Sequence, residues 1–304
     1  MQGTPSFHSN TIRSEDNLLL LESFCRWLKT LEYAAGTVYV SVNYIRDFLI
    51  FLQDKEVQGI AGITPLIVTQ YYRYLQCRAN KRQDGGLSPN YITANINALR
   101  RFTRYLQVSG RQGFEIHVKP VPEKETTKVI LTQKEVGRLY RATENDVLGT
   151  RDRAMLGIYY GCGLRRSEGI SLDGADVLIK QRLVYVKKGK GYRQRYVPMS
   201  ETVTSDLEQY ILSARLRLQV TGENDPALFL SIHGRRLTGT GMINRLEKLK
   251  NTAGIDKPIG LHTLRHSIAT HLIQSGMSLE SVSRFLGHGS LESTQLYTHL
   301  AHEQ

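Results

Sequence analysis

Hydrophobic residues recur at steps of three and four along most of the chain, the spacing of one face of an α-helix. Between Asn17 and Leu31 they are Leu18, Leu21, Phe24, Cys25 and Leu28. Between Tyr39 and Leu52 they are Val42, Ile45, Phe48, Leu49 and Leu52. Thr64-Pro65 and Ser88-Pro89 each set a capping hydroxyl before a proline. The missing proline N–H costs nothing at the first helical position. These pairs open a third helix running to about Ala79 and a fourth carrying Ile92, Ile96, Leu99, Phe102 and Leu106. The pattern predicts a four-helix bundle, with the polar run 80–87 as the loop between its last two helices.

The periodicity stops over 117–129 (HVKPVPEKETTKV), where two prolines and several charges replace it. This reads as an extended linker. The expected division is a helical domain over 1–118, a linker over 119–130 and a second domain over 131–304. Thr132 with Glu135 three residues on is a capping-box signature, and helices are expected at 132–144 and 151–161. The period then changes. The run 176–186 is dense in Val, Leu, Ile and Tyr, and 193–198 (RQRYVP) resembles a return strand, with Gly189-Lys190-Gly191 as the turn. Helices are expected again at 201–219, 239–252, 261–275, 278–286 and 291–299. The fold class is therefore mainly α, with a small antiparallel β-sheet in the second domain.

Composition narrows the function. The 304 residues hold 40 Lys+Arg against 28 Asp+Glu, a surplus of 12. The surplus is 15 − 11 = 4 over residues 1–125 and 25 − 17 = 8 over 126–304. Two basic domains suit a clamp on a polyanion, most often nucleic acid. The three cysteines lie far apart with no CxxC pair, which argues against a disulfide scaffold or zinc ribbon and suits a reducing cytosol. No apolar run reaches the length of a membrane span, and the polar first ten residues lack the order of a signal peptide. A cytoplasmic protein with no membrane partner is expected.

Four segments of the second half carry chemistry. In 161–168 (GCGLRRSE) two arginines open a helix, where they are either solvated or an anion site. In 187–191 (KKGKG) glycines let a backbone approach a lysine-bearing tip. In 262–266 (HTLRH) His262 and Arg265 share one helical face, while His266 either shares it or packs inward. The HExxH signature is absent and a cation stands between the histidines, so no zinc is expected. In 286–299, His288 follows Gly287, and Tyr297 falls on a polar helix. The inventory is arginines, lysine, histidines and a tyrosine, without paired carboxylates. Arginines neutralise a phosphate in the transition state. Histidine and lysine move protons. A tyrosine hydroxyl can attack phosphorus and form a covalent ester. Neither metal nor cofactor is required.

These segments, GLRRSE (163–168), GKGYRQRYVP (189–198), HTLRHSIATHL (262–272) and LGHGSLESTQLYTHL (286–300), resemble the tyrosine recombinases, the family of lambda-type phage integrases and Xer chromosome-dimer resolvases. Order and spacing also match, and ALFLSIHGRRLT (227–238) fits between. The first half is similar in helical pattern only. The resemblance implies that Arg165, Lys190, His262, Arg265 and His288 form the catalytic pentad. It implies that Tyr297 is the nucleophile, Lys190 the general acid and Glu168 a supporting acid. It further implies a recombinase that cleaves and rejoins double-stranded DNA through a 3′-phosphotyrosyl intermediate. Inverted-repeat sites, a tetramer on synapsed DNA, and a partner recombinase or directionality factor belong to the same expectation. Gly169 stands where many relatives carry a large aliphatic residue, which is expected to loosen that helix. With a first bundle beginning near residue 15, a two-domain enzyme is expected rather than a lambda-like three-domain one. The rivals are a type IB topoisomerase or telomere resolvase, a silent DNA-binding relative, and an RNA-binding protein. RRM-like and KH-like motifs are absent.

Overall fold

The structure, a computed structural model, describes residues 12–80, 84–119, 129–187, 194–219 and 225–287. Two compact units divide at Thr126 and Thr127. The first holds α1 (Glu15–Thr30), α2 (Ala35–Asp54), α3 (Pro65–Cys77) and α4 (Pro89–Val108). Ser14, Thr64 and Ser88 each accept a backbone N–H from three residues on, so α1, α3 and α4 start where the hydroxyls satisfy donors that a helix start leaves unpaired. The apolar faces meet in an aromatic core. Phe24 stands edge-on to Phe102 at 5.2 Å, and Phe48 to Tyr71 at 4.9 Å.

The second unit opens with α5 (Gln133–Arg141), closed at its start by the predicted capping box. Thr132 Oγ1 accepts from Glu135 N at 3.2 Å, and Glu135 Oε2 accepts from Thr132 N at 2.7 Å. Next comes α6 (Val147–Leu156), which runs into a π-helical turn at Gly157–Gly161, and then α7 (Arg166–Ser171). Three short strands follow, β1 (Val177–Leu178), β2 (Leu183–Val186) and β3 (Arg195–Pro198), antiparallel in the order β1-β2-β3. Val184 pairs with Val177 on one side and Val197 on the other. Within the apolar run 176–186, β1 and β2 are separated at Ile179–Gln181, where a 3₁₀ turn ends on Arg182 in the left-handed region. A second π-helical turn, Tyr210–Ala214, joins α8 (Glu201–Gln209) to α9 (Arg215–Leu218). The described chain closes with α10 (Gly239–Thr252), α11 (Leu261–Gln274) and α12 (Leu279–Leu286). The GKG turn, the helix expected at 291–299 and most of the expected linker lie outside the described residues.

Candidate active site

The chain reaches the first arginine through a sharp change of direction. Gly163 lies in the left-handed region at φ 59°, and a Cβ there would stand 2.9 Å from Leu286 Cδ2. Only glycine fits both conditions without strain. Two residues later Arg165 caps α7, and α7 carries Glu168 inward to 1% exposure. At Gly169 the fold leaves no room for a side chain. A Cβ there would stand 2.6 Å from the ring of Tyr159, which is fully buried. The position is small because an aromatic side chain already fills the space.

Glu168 is the centre of an ionic cluster. Its Oε1 accepts from Arg165 Nη1 at 2.8 Å and from Arg195 Nη1 at 3.0 Å. Its Oε2 accepts from the Arg165 backbone N at 2.8 Å and from Arg195 Nη2 at 3.0 Å. Arg265 Nη1 stands 3.8 Å from Oε2. Burial pushes the Glu168 carboxyl up, but the hydrogen bonds from Arg195 and Arg165 outweigh it and hold the group below the ordinary carboxylate range.

The same three arginines close the end of α12. Arg195 Nε donates to the Phe285 carbonyl at 3.4 Å. Arg265 Nη2 donates to Leu286 O and Arg165 Nη2 to Gly287 O, each at 2.9 Å. Carbonyls in the last turn of a helix have no partner within the helix, and cations are favoured there. Gly287, at φ 66°, turns the chain out of α12 immediately before His288. Arg265 also donates to Gly163 O, so the first and second arginine segments, a hundred residues apart in sequence, are tied directly.

His262 lies on the first turn of α11, whose start is set by the Gly260 N–H donating to Thr263 Oγ1 at 3.0 Å. Burial of its ring and the charges of Arg265, Arg166 and Arg165 lower its pKa below the ordinary histidine value. A neutral imidazole beside guanidinium groups is a proton acceptor at neutral pH. Three residues on, Arg265 is 4% exposed whereas His262 itself is exposed, so the face they share runs from the surface into the protein. His271, on the same helix, packs inward and meets the Tyr160 hydroxyl through Nδ1 at 2.9 Å.

The two arginines of GLRRSE part company. Arg165 enters the cluster, whereas Arg166 lies against the start of α10, with Nη2 2.6 Å from where a Cβ on Gly239 would stand. At the root of the lysine hairpin, Lys187 Nζ pairs with Asp176 Oδ1 at 2.8 Å and Asp173 Oδ2 at 2.9 Å, and both hold its pKa above the ordinary lysine value. Lys187 is thus engaged structurally. Lys190, His288 and Tyr297 lie outside the described residues. Arg195 is the participant that sequence reasoning passed over. It stood inside the quoted GKGYRQRYVP stretch, but its place at the start of the return strand carried no signal that it would meet Glu168. Among the described residues, no group of three or more His, Cys, Asp or Glu is placed to hold a metal ion.

The sequence model of the phage integrase family matches residues 130–304. A tyrosine recombinase XerD of Oceanobacillus iheyensis is 39% identical over 221 residues, 72% of this chain and 74% of its own length. This chain belongs to the phage integrase family. The tyrosine recombinase XerC of the same bacterium is 32% identical across 93% of this chain and 92% of its own. The fold agrees with that of the XerH site-specific recombinase bound to a palindromic difH substrate in a post-cleavage complex. The TM-score is 0.71 at 19% identity, over 95% of this chain and 94% of that one. As a phage integrase family member, the chain is a site-specific tyrosine recombinase. No helix among the described residues is long and apolar enough to cross a membrane.

Proposed function

We propose that the chain binds double-stranded DNA at inverted-repeat sites and exchanges strands between two such sites in a tetramer. Tyr297 is the nucleophile. Its hydroxyl oxygen attacks the scissile phosphorus and its proton passes to His262. The bond from phosphorus to the 5′ oxygen breaks, and Lys190 gives that oxygen a proton. The product is a 3′-phosphotyrosyl ester and a free 5′ hydroxyl. Attack on the ester by the 5′ hydroxyl of the partner strand reverses the step, so rejoining conserves the bond energy and needs no nucleotide. Arg165 and Arg265 meet the charge that grows on the non-bridging oxygens, and His288 hydrogen-bonds the same phosphate. Glu168 holds the arginines in register. A partner recombinase or directionality factor would act on this core reaction rather than supply part of it.

One observation carries the reading. Arg165 and Arg265, far apart in sequence, converge on one carboxylate and on the helix end that leads directly into His288. The neutral state favoured at His262 supports its role as proton acceptor. The test is a DNA substrate nicked beside the cleavage position, so that the released fragment diffuses away and the covalent complex accumulates. Short inverted repeats flanking the gene supply the candidate site. A protein–DNA adduct on a denaturing gel, mapped by peptide sequencing to Tyr297, is the expected result. An adduct at another residue moves the nucleophile. Tight, salt-sensitive binding with no adduct converts the reading to a silent DNA-binding relative, and relaxation of supercoils without synapsis converts it to a topoisomerase.

A further inference from the structure

We infer that Arg195 is a positioning residue for cleavage, acting on Arg165 through Glu168. The inference rests on the proposed role of Arg165. Three guanidinium groups meet one buried carboxylate, and they meet it differently. Arg195 spans both oxygens with its two terminal nitrogens, the fork geometry in which an arginine fixes a carboxylate plane as well as its place. Arg165 instead makes one contact through its side chain and one through its backbone N–H. Arg265 reaches the carboxylate only at 3.8 Å. The plane of Glu168 is therefore set by Arg195, and the direction of the Arg165 guanidinium follows from that plane.

A second contact points the same way. The Nε of Arg195 donates to Phe285 O, one residue before the carbonyl held by Arg265 and two before the carbonyl held by Arg165. Arg195 thus fixes both objects between which Arg165 is stretched, the carboxylate and the end of α12. A Cβ at Gly287 would stand 2.7 Å from Arg195 Nε, so the helix end is shaped around this side chain. Its own site is a β-strand root with the side chain 13% exposed. With both terminal nitrogens on Glu168 and its Nε on the Phe285 carbonyl, Arg195 is placed to orient the arginine beside it. Lysine at this position keeps the charge but presents one nitrogen instead of a planar fork, so Glu168 regains freedom to rotate.

The experiment is a double-mutant cycle on the full chain and the nicked substrate, with Arg195→Met, Arg195→Lys, Arg165→Ala and Arg165→Ala/Arg195→Met. Single-turnover cleavage at saturating protein, DNA affinity and thermal melting are measured on each. Misplacement of a catalytic group by about an ångström costs on the order of 10²-fold. Arg195→Met is accordingly expected to slow cleavage by roughly 10–100-fold with DNA affinity within about twofold, and Arg195→Lys by less. In the Arg165→Ala background the further loss should be under about threefold, because the residue that Arg195 orients is gone. A purely structural role predicts the opposite, the same fold-loss in both backgrounds, and that result overturns the inference. If Arg195→Met unfolds the chain, the same comparison is made with Arg195→Lys alone. If Arg165→Ala cleaves at the parent rate, the arginine assignment fails and the inference with it. If Arg165→Ala is slow while both Arg195 variants cleave normally, only the inference fails.

Discussion

The two units of this chain solve the burial problem in different ways. In the first, the described buried residues are almost all apolar, and the polar exceptions, Ser41 and Asn95, are neutral. In the second, Arg151, Asp152, Glu168, Asp176 and Arg265 are all buried. Buried charge is costly unless each group is paired and hydrogen-bonded. The second unit meets that condition with networks. Asp152 accepts from Arg151 and Arg245, and Glu168 accepts from Arg165 and Arg195. The first unit is stabilised by shape, whereas the second spends stability to hold guanidinium groups in fixed directions. A bundle can tolerate a shifted core side chain, but the phosphate cradle proposed for the second unit cannot tolerate a shifted arginine.

Substitutions can break that comparison, and the sharpest is at the proposed nucleophile. Tyr297→Phe is expected to abolish covalent attachment entirely while leaving DNA affinity nearly intact, read by denaturing gel beside an equilibrium binding curve. Retained attachment would place the chemistry elsewhere. Next in size, Arg165→Ala and Arg265→Ala should each slow cleavage by about 10²–10³-fold, as removal of one donor to a developing oxyanion does. A loss confined to DNA binding would mean that the cluster grips rather than catalyses.

Two smaller effects compare the units directly. Glu168→Gln leaves guanidinium groups facing an uncharged amide and should destabilise the second unit by about 3–5 kcal/mol, the cost of breaking a buried pair. Phe24→Ala, in the first unit, should cost a similar 3–5 kcal/mol through a cavity. The difference lies in salt and pH. The folded Glu168 carboxyl titrates below its unfolded value, so its contribution is complete above about pH 4.3 and is lost as pH falls through the folded pKa. Denaturant unfolding between pH 6 and pH 3 should therefore narrow the gap between parent and Glu168→Gln and leave the gap for Phe24→Ala unchanged. Smallest is the effect at His262. Its folded pKa is lowered, so the neutral form proposed to accept the tyrosine proton persists at pH 7 and is lost only below the ordinary histidine value. Cleavage should be flat from pH 8 to about 6.5 and fall below that, a slope absent in His262→Ala.

Much of this architecture is legible in the sequence. The helices of the bundle follow from apolar spacing, the starts of α3 and α4 from Thr64 and Ser88 placed before proline, and the start of α5 from Thr132 three residues before Glu135. These are local rules, each confined to one turn of chain, so the linear order of residues contains them. The breaks are less legible. The 3₁₀ turn at Ile179–Gln181 interrupts the apolar run with Lys180, Gln181 and Arg182, but nothing in those residue types fixes the left-handed conformation of Arg182 that ends it. The π-helical turns at Gly157–Gly161 and Tyr210–Ala214 leave the helical period almost unchanged, so spacing does not reveal them. The size of residue 169 is illegible for a related reason, since its smallness answers to Tyr159, ten residues earlier.

The sequence by itself determines which chemistry this chain carries, because arginine, histidine, lysine and tyrosine in these motifs are a statement about functional groups. It also determines where most helices begin and which faces they bury. Only the tertiary structure decides which arginines share a carboxylate. Arg165 and Arg166 are neighbours in sequence, yet one joins Glu168 and the other does not. Arg195 carries no motif signal of its own, yet it takes both oxygens of that carboxylate. The physical reason is range. Helix periodicity and capping act over three or four residues, whereas a buried charge must find its counter-charge wherever the fold brings one within about 3 Å.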